Sequence, residues 1–268
     1  DSARLKTPLA NGEESTWANV DANILKGLKA AKAADKQVVI LSSSIISPST
    51  KAVIDAFATK YNAKHVTYDA LSASSMLDAN KESFGVRALP TYHFDKADVV
   101  VSFAADFIGD WLDAGHGKAY AVKRNLNSGT MSRHYQFESN LSLTGANADY
   151  RTPVKASEMG VALLNLYNIL AKKAGAATVN VAVSDYSTQL QKAANDLWNA
   201  KGKSLVVAGG NDKNIHIVIN AINDLLSNNG TTVDFTKQSY LKQGNDAHVA
   251  SLLNDMKAGK VGALIAYN

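Results

Sequence analysis

The fold class is decided by residues 37 to 61, whose sequence is QVVILSSSIISPSTKAVIDAFATKY. Residues 37–41 have the length and the apolar composition of a buried strand. Pro48 follows, at a position that the first turn of a helix tolerates. The segment behind it repeats apolar residues at helical spacing, namely Val53, Ile54, Phe57 and Tyr61. A buried strand followed by an amphipathic helix is the βα unit from which parallel sheets are built.

The same alternation of strand and helix continues along the chain. Further strands are expected at residues 64–68, 97–103, 133–138, 205–208 and 261–267. Helices are expected after Thr16, which is a suitable N-cap, at residues 74–83, 108–126, 157–172, 188–199 and 214–226, and in a segment ending near Lys257. The pattern predicts an α/β fold with Rossmann-like parallel sheets flanked by helices.

The predicted domain division falls at Gly175, where the sequence GAA interrupts the helical pattern. We expect a first α/β lobe over residues 1–174 and a second over residues 175–268. Because the chain stops at Asn268 directly after the apolar strand 261–267, we expect the second lobe to be truncated at its C-terminal strand. The chain is then a fragment of a larger fold, and an unpaired edge at this strand favours association.

The composition excludes several kinds of site. The 268 residues are 46% hydrophobic and 19% charged, as in globular proteins, and no apolar run approaches the ~20 residues that cross a bilayer. A net charge of +4 with five arginines indicates a mildly basic surface and argues against nucleic-acid binding. Because there is no cysteine, these residues form no disulfide, cysteine-ligated zinc site or iron–sulfur cluster.

Two stretches are candidate phosphate sites, and each has a structural alternative. Ser42-Ser43-Ser44 and Gly209-Gly210-Asn211-Asp212 each follow a predicted strand, where the ligands of open α/β sheets gather. Both lack the lysine and the spaced glycines of a P-loop, so loop and helix-cap roles are favoured, with Asp212 as a cap. The six histidines show no metal-binding spacing, and their packing or surface roles are favoured over metal binding.

Four segments, which together cover most of the chain, carry a family resemblance. They are residues 4–9 (RLKTPL) with 15–17 (STW), residues 97–106 (ADVVVSFAAD), residues 148–155 (ADYRTPVK) with 162–164 (ALL), and residues 256–265 (MKAGKVGALI) with Asn268. In this order they resemble the molybdopterin oxidoreductase superfamily.

A closer resemblance lies within that superfamily. It is carried by residues 88–94 (ALPTYHF), 131–139 (MSRHYQFES), 143–151 (LTGANADYR) and 220–226 (NAINDLL). These segments are similar to the large iron–sulfur subunit of alternative complex III, a membrane-bound bacterial quinol oxidoreductase. The resemblance implies a molybdopterin-type domain without its cofactor, joined in the parent protein to a cysteine-rich domain that holds iron–sulfur clusters.

Two departures from the superfamily pattern agree with loss of the cofactor. After strand 97–103, a glycine and an Asn-Pro pair are replaced by AADF, residues 104–107, and the Asp106 carboxylate would repel a pyrophosphate. After strand 133–138, an arginine-containing motif is replaced by QFES, residues 136–139, which removes a cationic phosphate partner. The implied cleft is vestigial and lies at Ser43, Ala105, Asp106 and Gly209, with no catalytic, cofactor-binding or metal-binding residue.

The resemblance therefore implies a non-catalytic structural domain that supports electron transfer carried by other domains. Its expected partners are the cytochrome c and quinol-oxidising membrane subunits of a respiratory complex, on the periplasmic side of a bacterial inner membrane. It is expected to have no nucleic-acid partner and no membrane span of its own. Two alternatives stay open: an active bis-molybdopterin guanine dinucleotide oxidoreductase, and a two-lobed periplasmic solute-binding module.

Overall fold

A computed structural model describes residue 4 and residues 6–129 and 131–267, without the side chain of residue 128. Leu5, Asn268 and the outer ends of the two predicted lobes lie outside the described residues. The strands are β1 Leu9–Ala10, β2 Glu13–Glu14, β3 Gln37–Ser42, β4 Lys64–Thr67, β5 Leu89–Tyr92, β6 Val99–Phe103, β7 Arg133–Glu138, β8 Tyr150–Pro153, β9 Ser204–Ala208, β10 Val233–Ser239 and β11 Val261–Tyr267. The α-helices are α1 Trp17–Ala33, α2 Pro48–Tyr61, α3 Ser74–Phe84, α4 Gly115–Val122, α5 Leu143–Ala146, α6 Met159–Ala174, α7 Ser187–Asn199, α8 Lys213–Leu225 and α9 Asp246–Lys257.

The described residues form two compact units, and the division differs from the predicted one at Gly175. The first unit comprises the chain up to residue 70 and from residue 244 onward, and the second comprises residues 71–243. The predicted second lobe is split because β9 pairs with β6, whereas β11 pairs with β3. Gly175 has a local role instead: with a left-handed φ of 68° it ends helix α6.

The first unit is built on a three-stranded parallel sheet with the order β11-β3-β4. Helices α1 and α2 cover one face, where Leu28 and Phe57 pack with Val38. Helix α9 covers the other face, where Leu252 packs on Val39. The starts of both N-terminal helices follow from the sequence, since Thr16 caps α1 by accepting a hydrogen bond from the backbone N–H of residue 19 and proline opens α2.

The second unit is built on a four-stranded parallel sheet with the order β8-β7-β6-β9. Helices α6, α7 and α8 pack on one face, and α4 and the loop after β6 pack on the other. Strands β5 and β10 form a separate antiparallel pair. Parallel sheets covered on both faces bury nearly continuous apolar strands, and every residue of β6 and β9 is buried.

The predicted α/β class and most of the predicted strands and helices are confirmed. The prediction of one helix over residues 108–126 is wrong, because the only α-helix described in this range is α4, Gly115–Val122. Leu112 has a left-handed φ of 57°, and the Asp113 carboxylate accepts a hydrogen bond from the backbone N–H of Gly115 at 2.7 Å. Both features turn the chain just before α4, so the helix starts late.

At the outer edge of β9, a buried asparagine side chain pairs with the strand's backbone. Asn223, on α8, donates from its amide nitrogen to the carbonyl of Val206 at 2.8 Å, and its amide oxygen accepts from the N–H of Val206 at 3.1 Å. A side-chain amide carries the same donor and acceptor as a backbone peptide. Asn223 therefore takes the place of a further strand at this edge and satisfies two backbone groups that would otherwise be buried without partners.

We expect Asn223→Ala to lower the free energy of unfolding by about 2–4 kcal/mol, because it leaves the N–H and C=O of Val206 without partners in the interior. Urea denaturation followed by circular dichroism measures this loss. Asn195→Ala, at an exposed position of α7, is the control and should change stability by no more than about 0.5 kcal/mol. Equal stabilities of the two variants would contradict the role assigned to Asn223.

Candidate functional site

The loops that follow β6, β7 and β9 meet at the carboxyl end of the second unit's sheet, because parallel strands end at the same edge. Three of the four predicted cleft residues, Ala105, Asp106 and Gly209, lie in these loops. Ser43, the fourth, belongs to the first unit.

The backbone of Gly209 lies directly against the loop after β6. Its N–H donates to the carbonyl of Phe103 at 2.8 Å, and a Cβ placed on Gly209 would lie 2.2 Å from the carbonyl oxygen of Ala104. Gly210 has a left-handed φ of 81°, and the Asp212 side chain caps α8 by accepting from the N–H of residue 214 at 2.8 Å. The turn and cap interpretation of residues 209–212 is confirmed, and the glycine provides close contact between two loops of the protein itself.

Asp106 joins the loop after β6 to helix α5. Its carboxylate accepts a hydrogen bond from the backbone N–H of Thr144 at 2.9 Å, and the Thr144 hydroxyl accepts one from the N–H of Ile108 at 2.9 Å. Gly109 lies so close that a Cβ there would be 2.2 Å from the carboxylate. Asp106 is therefore a structural hydrogen-bond acceptor between two loops.

Glu138, at the end of β7, is a buried carboxylate with a complete set of partners. It accepts from Nε of Arg151 at 2.6 Å, from the Ser142 hydroxyl at 2.6 Å and from the Gln136 amide at 3.0 Å. Burial raises the pKa of this carboxyl, but the hydrogen bonds from Ser142, Arg151 and Gln136 outweigh it and hold the pKa below its ordinary value. A Cβ on Gly145 would lie 1.9 Å from the carboxylate, so a glycine is required beside it.

A buried chain of hydrogen bonds runs along one face of β7 and ends at this carboxylate. The Tyr120 hydroxyl lies 3.1 Å from Nδ1 of His134, Nε2 of His134 lies 3.3 Å from the Gln136 amide oxygen, and the Gln136 amide nitrogen donates to Glu138. An ionised carboxylate only accepts, so it fixes the orientation of the Gln136 amide. His134 must then donate from Nε2 and accept at Nδ1 from Tyr120.

Two ionisable groups of this hydrogen-bond chain, His134 and Tyr120, are held neutral by their surroundings. His134 is fully buried, and this burial lowers its pKa to about 4. Burial likewise raises the pKa of Tyr120 to about 12. Near neutral pH this chain of hydrogen bonds therefore carries one charge, on the Glu138 carboxylate, and the Arg151 guanidinium balances it.

At the carboxyl end of the first unit's sheet, a carboxylate likewise holds neighbouring loops together. Asp69 accepts from the N–H and the hydroxyl of Ser44, at 2.9 and 2.7 Å, and from the N–H of Gly244 at 2.8 Å. Ser42 donates to the carbonyl of Ser43 at 2.7 Å and lies 2.8 Å from Nε2 of His65.

At the carboxyl ends of the two sheets, the residues do not fit a nucleotide that carries a pyrophosphate. The superfamily resemblance implies such a nucleotide for members that bind the cofactor. Asp69, Asp106 and Glu138 each accept hydrogen bonds from loop donors, and a carboxylate at those positions repels a phosphate. Arg151 is paired with Glu138. Within the described part of the chain, no group of three or more histidine, aspartate and glutamate side chains is placed to hold a metal ion.

The sequence predicted part of this arrangement. It predicted the strand at residues 133–138 and singled out Asp106. In the structure, Tyr135 and Phe137 pack on one face of β7, away from His134. Sequence reasoning missed the chain through His134, Gln136 and Glu138. The available signal was that all three polar residues fall on one face of a strand.

Sequence comparison and structure comparison give different results. No protein-family model and no curated protein matches the sequence. The structure is similar to acetylene hydratase from Pelobacter acetylenicus, with a TM-score of 0.53 and 11% identity, over 80% of this chain and 32% of that one. It is also similar to a chain of the formyltransferase/hydrolase complex FhcABCD from Methylorubrum extorquens, solved in complex with methylofuran, with a TM-score of 0.52 and 12% identity, over 92% of this chain and 64% of that one.

These similarities establish the fold. The chain has an α/β fold with parallel sheets flanked by helices, similar to part of each of these two larger chains, and it spans about a third of the hydratase and less than two thirds of the FhcABCD chain. The predicted partial match to a larger fold is confirmed. At 11–12% identity the comparison concerns architecture only.

We expect the free energy of unfolding to fall as the pH is lowered from about 6.5 to about 4, because unfolded His134 takes up a proton and buried His134 does not. A folded pKa near 4 corresponds to a loss of roughly 3 kcal/mol across that window. Urea denaturation at several pH values measures the slope. His134→Gln, which cannot titrate, should be less stable at pH 7 but should show a shallower slope, and an unchanged slope would contradict the assignment.

We expect Glu138→Gln to lower the free energy of unfolding by about 2–4 kcal/mol at pH 7, because Arg151 and Ser142 lose the charge that they are arranged around. The matched control is Glu82→Gln, which removes an exposed ion pair with Lys213 and should cost at most about 1 kcal/mol. Denaturation of the two variants under identical conditions makes the comparison. A Glu138→Gln protein as stable as wild type would mean that the carboxylate is not a structural group.

Proposed function

We propose that this chain is a non-catalytic, vestigial molybdopterin-type domain of an iron–sulfur subunit in a membrane-bound respiratory quinol oxidoreductase. Its role is structural: it supports electron transfer that other domains carry out. The proposal combines the family resemblance of the sequence with one observation on the structure, the carboxylates that hold the loops at the sheet ends together.

The closed loops support a structural role because a working nucleotide site needs the opposite chemistry. Phosphate sites in α/β folds present free backbone N–H groups and unpaired cations to the ligand. Here the N–H groups of Ser44 and Thr144 already donate to Asp69 and Asp106, and Arg151 donates to Glu138. Each of these donors is engaged by a group of the protein itself.

The setting of the domain is part of the same proposal. Iron–sulfur clusters belong to a cysteine-bearing part of the parent protein, since this chain has no cysteine. The partners are the cytochrome c and quinol-oxidising subunits on the periplasmic side of a bacterial inner membrane. Among the described residues, no helix combines the length and the apolar character needed to cross a bilayer.

The parent protein, purified whole, tests the proposal. We expect elemental mass spectrometry to find iron without stoichiometric molybdenum or tungsten, and the oxidised extract to show no pterin fluorescence. We also expect no rise in the melting temperature of this chain with millimolar guanosine diphosphate, sugars or amino acids. A ligand present at a hundred times its dissociation constant would stabilise it by about 2.7 kcal/mol.

The other outcomes identify the alternatives. Stoichiometric molybdenum or tungsten together with pterin would show an active oxidoreductase. A melting-temperature rise with a sugar or an amino acid would show a solute-binding module. Either result would overturn the proposed structural role.

A further inference from the structure

The sequence contains two Asn-Gly pairs, Asn11-Gly12 and Asn229-Gly230, and the structure places them in different surroundings. In such a pair the backbone nitrogen of the glycine can attack the asparagine side chain, because glycine has no side chain to block the approach. The attack also requires the backbone to rotate, so a pair that is held by hydrogen bonds reacts only when its loop opens. The local structure therefore decides which asparagine reacts.

Asn11 and Gly12 form the exposed turn of a short hairpin, in which Ala10 of β1 pairs with Glu13 of β2. Both turn residues have a left-handed φ, 53° for Asn11 and 86° for Gly12, as in the type I′ turn that Asn-Gly favours. Among the described residues, no hydrogen bond is found from the Gly12 N–H or from the Asn11 side chain. The attacking nitrogen and the amide that it attacks are therefore both open to water.

The hairpin that carries this turn is held by few contacts. Each of its strands has two residues, and they pair only with each other. Leu9 is 46% exposed, and both residues of β2 are exposed. An isolated two-stranded hairpin is at best marginally stable in water. The turn can therefore leave its folded conformation at low cost and reach the geometry of attack.

Asn229 and Gly230 lie in a loop that is closely hydrogen-bonded. The Gly230 N–H donates to the carbonyl of Val233 at 2.8 Å, and the Asn229 amide nitrogen donates to the Asp224 carboxylate at 3.3 Å. The next three backbone N–H groups all donate to the carbonyl of Asn228, each at 3.1 Å. An attack on Asn229 therefore has to wait until this loop opens.

We propose that Asn11 is a site of spontaneous covalent modification, at which the folded chain deamidates while Asn229 is protected. The proposal is independent of the proposed function. It rests on the contrast between a free turn and a hydrogen-bonded loop that carry the same dipeptide.

The reaction needs only water as a co-reactant. The Gly12 nitrogen attacks Cγ of Asn11, the new N–C bond closes a five-membered imide, and the Cγ–Nδ2 bond breaks. The Gly12 proton leaves with the side-chain nitrogen as ammonia. Water then hydrolyses one of the two imide bonds: cleavage at Cγ gives aspartate, and cleavage at the backbone carbonyl gives isoaspartate, whose main chain runs through the side-chain carbon. No group is oxidised or reduced.

Either product changes the hairpin. A carboxylate appears at position 11, close to those of Glu13 and Glu14, and like charges so close together destabilise strand pairing. Isoaspartate also lengthens the backbone between β1 and β2 by one carbon, which disturbs their register. A modified chain therefore carries one more negative charge and a weakened hairpin.

Incubation of the chain in mildly alkaline buffer at physiological temperature, followed by peptide mass spectrometry, tests the proposal. The measured quantity is the fraction of each Asn-Gly peptide that has exchanged NH₂ for OH. We expect Asn11 to react at least about tenfold faster than Asn229, whose loop must first open. Protein isoaspartate methyltransferase should label the Asn11 peptide. Asn11→Gln should abolish both signals at this position, because its longer side chain would have to close a six-membered ring.

Unfolding in concentrated urea is the control, because it removes both local structures, and the two peptides should then react at similar rates. An Asn11 that stays intact in the folded chain but reacts in urea would overturn the proposal, since the hairpin would then protect it. Equal rates at Asn11 and Asn229 in the folded chain would overturn it too, because the hydrogen bonds of the second loop would then give no protection.

Discussion

A carboxylate buried at the end of strand β7 constrains much of the second unit. An ionised Glu138 in the interior is tolerated only with partners that replace its hydration. These partners come from three elements: Arg151 from β8, Ser142 from the start of α5, and Gln136 from β7 itself. The same need sets the orientation of the Gln136 amide and, through it, the tautomer of the buried His134 ring.

The buried Glu138 carboxylate also determines how the loops at the carboxyl end of this sheet pack against one another. Gly145 is a glycine because a side chain there would collide with Glu138, and Thr144 next to it donates its N–H to Asp106. The loop after β6 is thereby tied to α5, and Gly209 closes the third loop onto Ala104. An interior filled in this way differs from a ligand site, in which polar groups converge on an empty volume.

Sequence reasoning succeeded where a single element carries the signal and failed where the signal lies in contacts. The apolar runs of β3, β6 and β9 and the caps Thr16 and Asp212 were predicted correctly, because strand burial and helix capping are local. Strands β5 and β10 were not predicted. They pair although more than 140 residues separate them in sequence, and Pro90 in β5 is atypical of a strand. Likewise, Asp106 was singled out in the sequence, but its bond to Thr144 involves a segment 38 residues away and could not be predicted.

In the second unit, the outer edge of the sheet at β9 is closed by side chains of the same unit. A parallel sheet is stable when both faces are covered, but its outermost strands still expose backbone groups. At β9 the Asn223 side chain pairs with the N–H and C=O of Val206, and its own amide is fully engaged with Val206, Ile219 and Asn228.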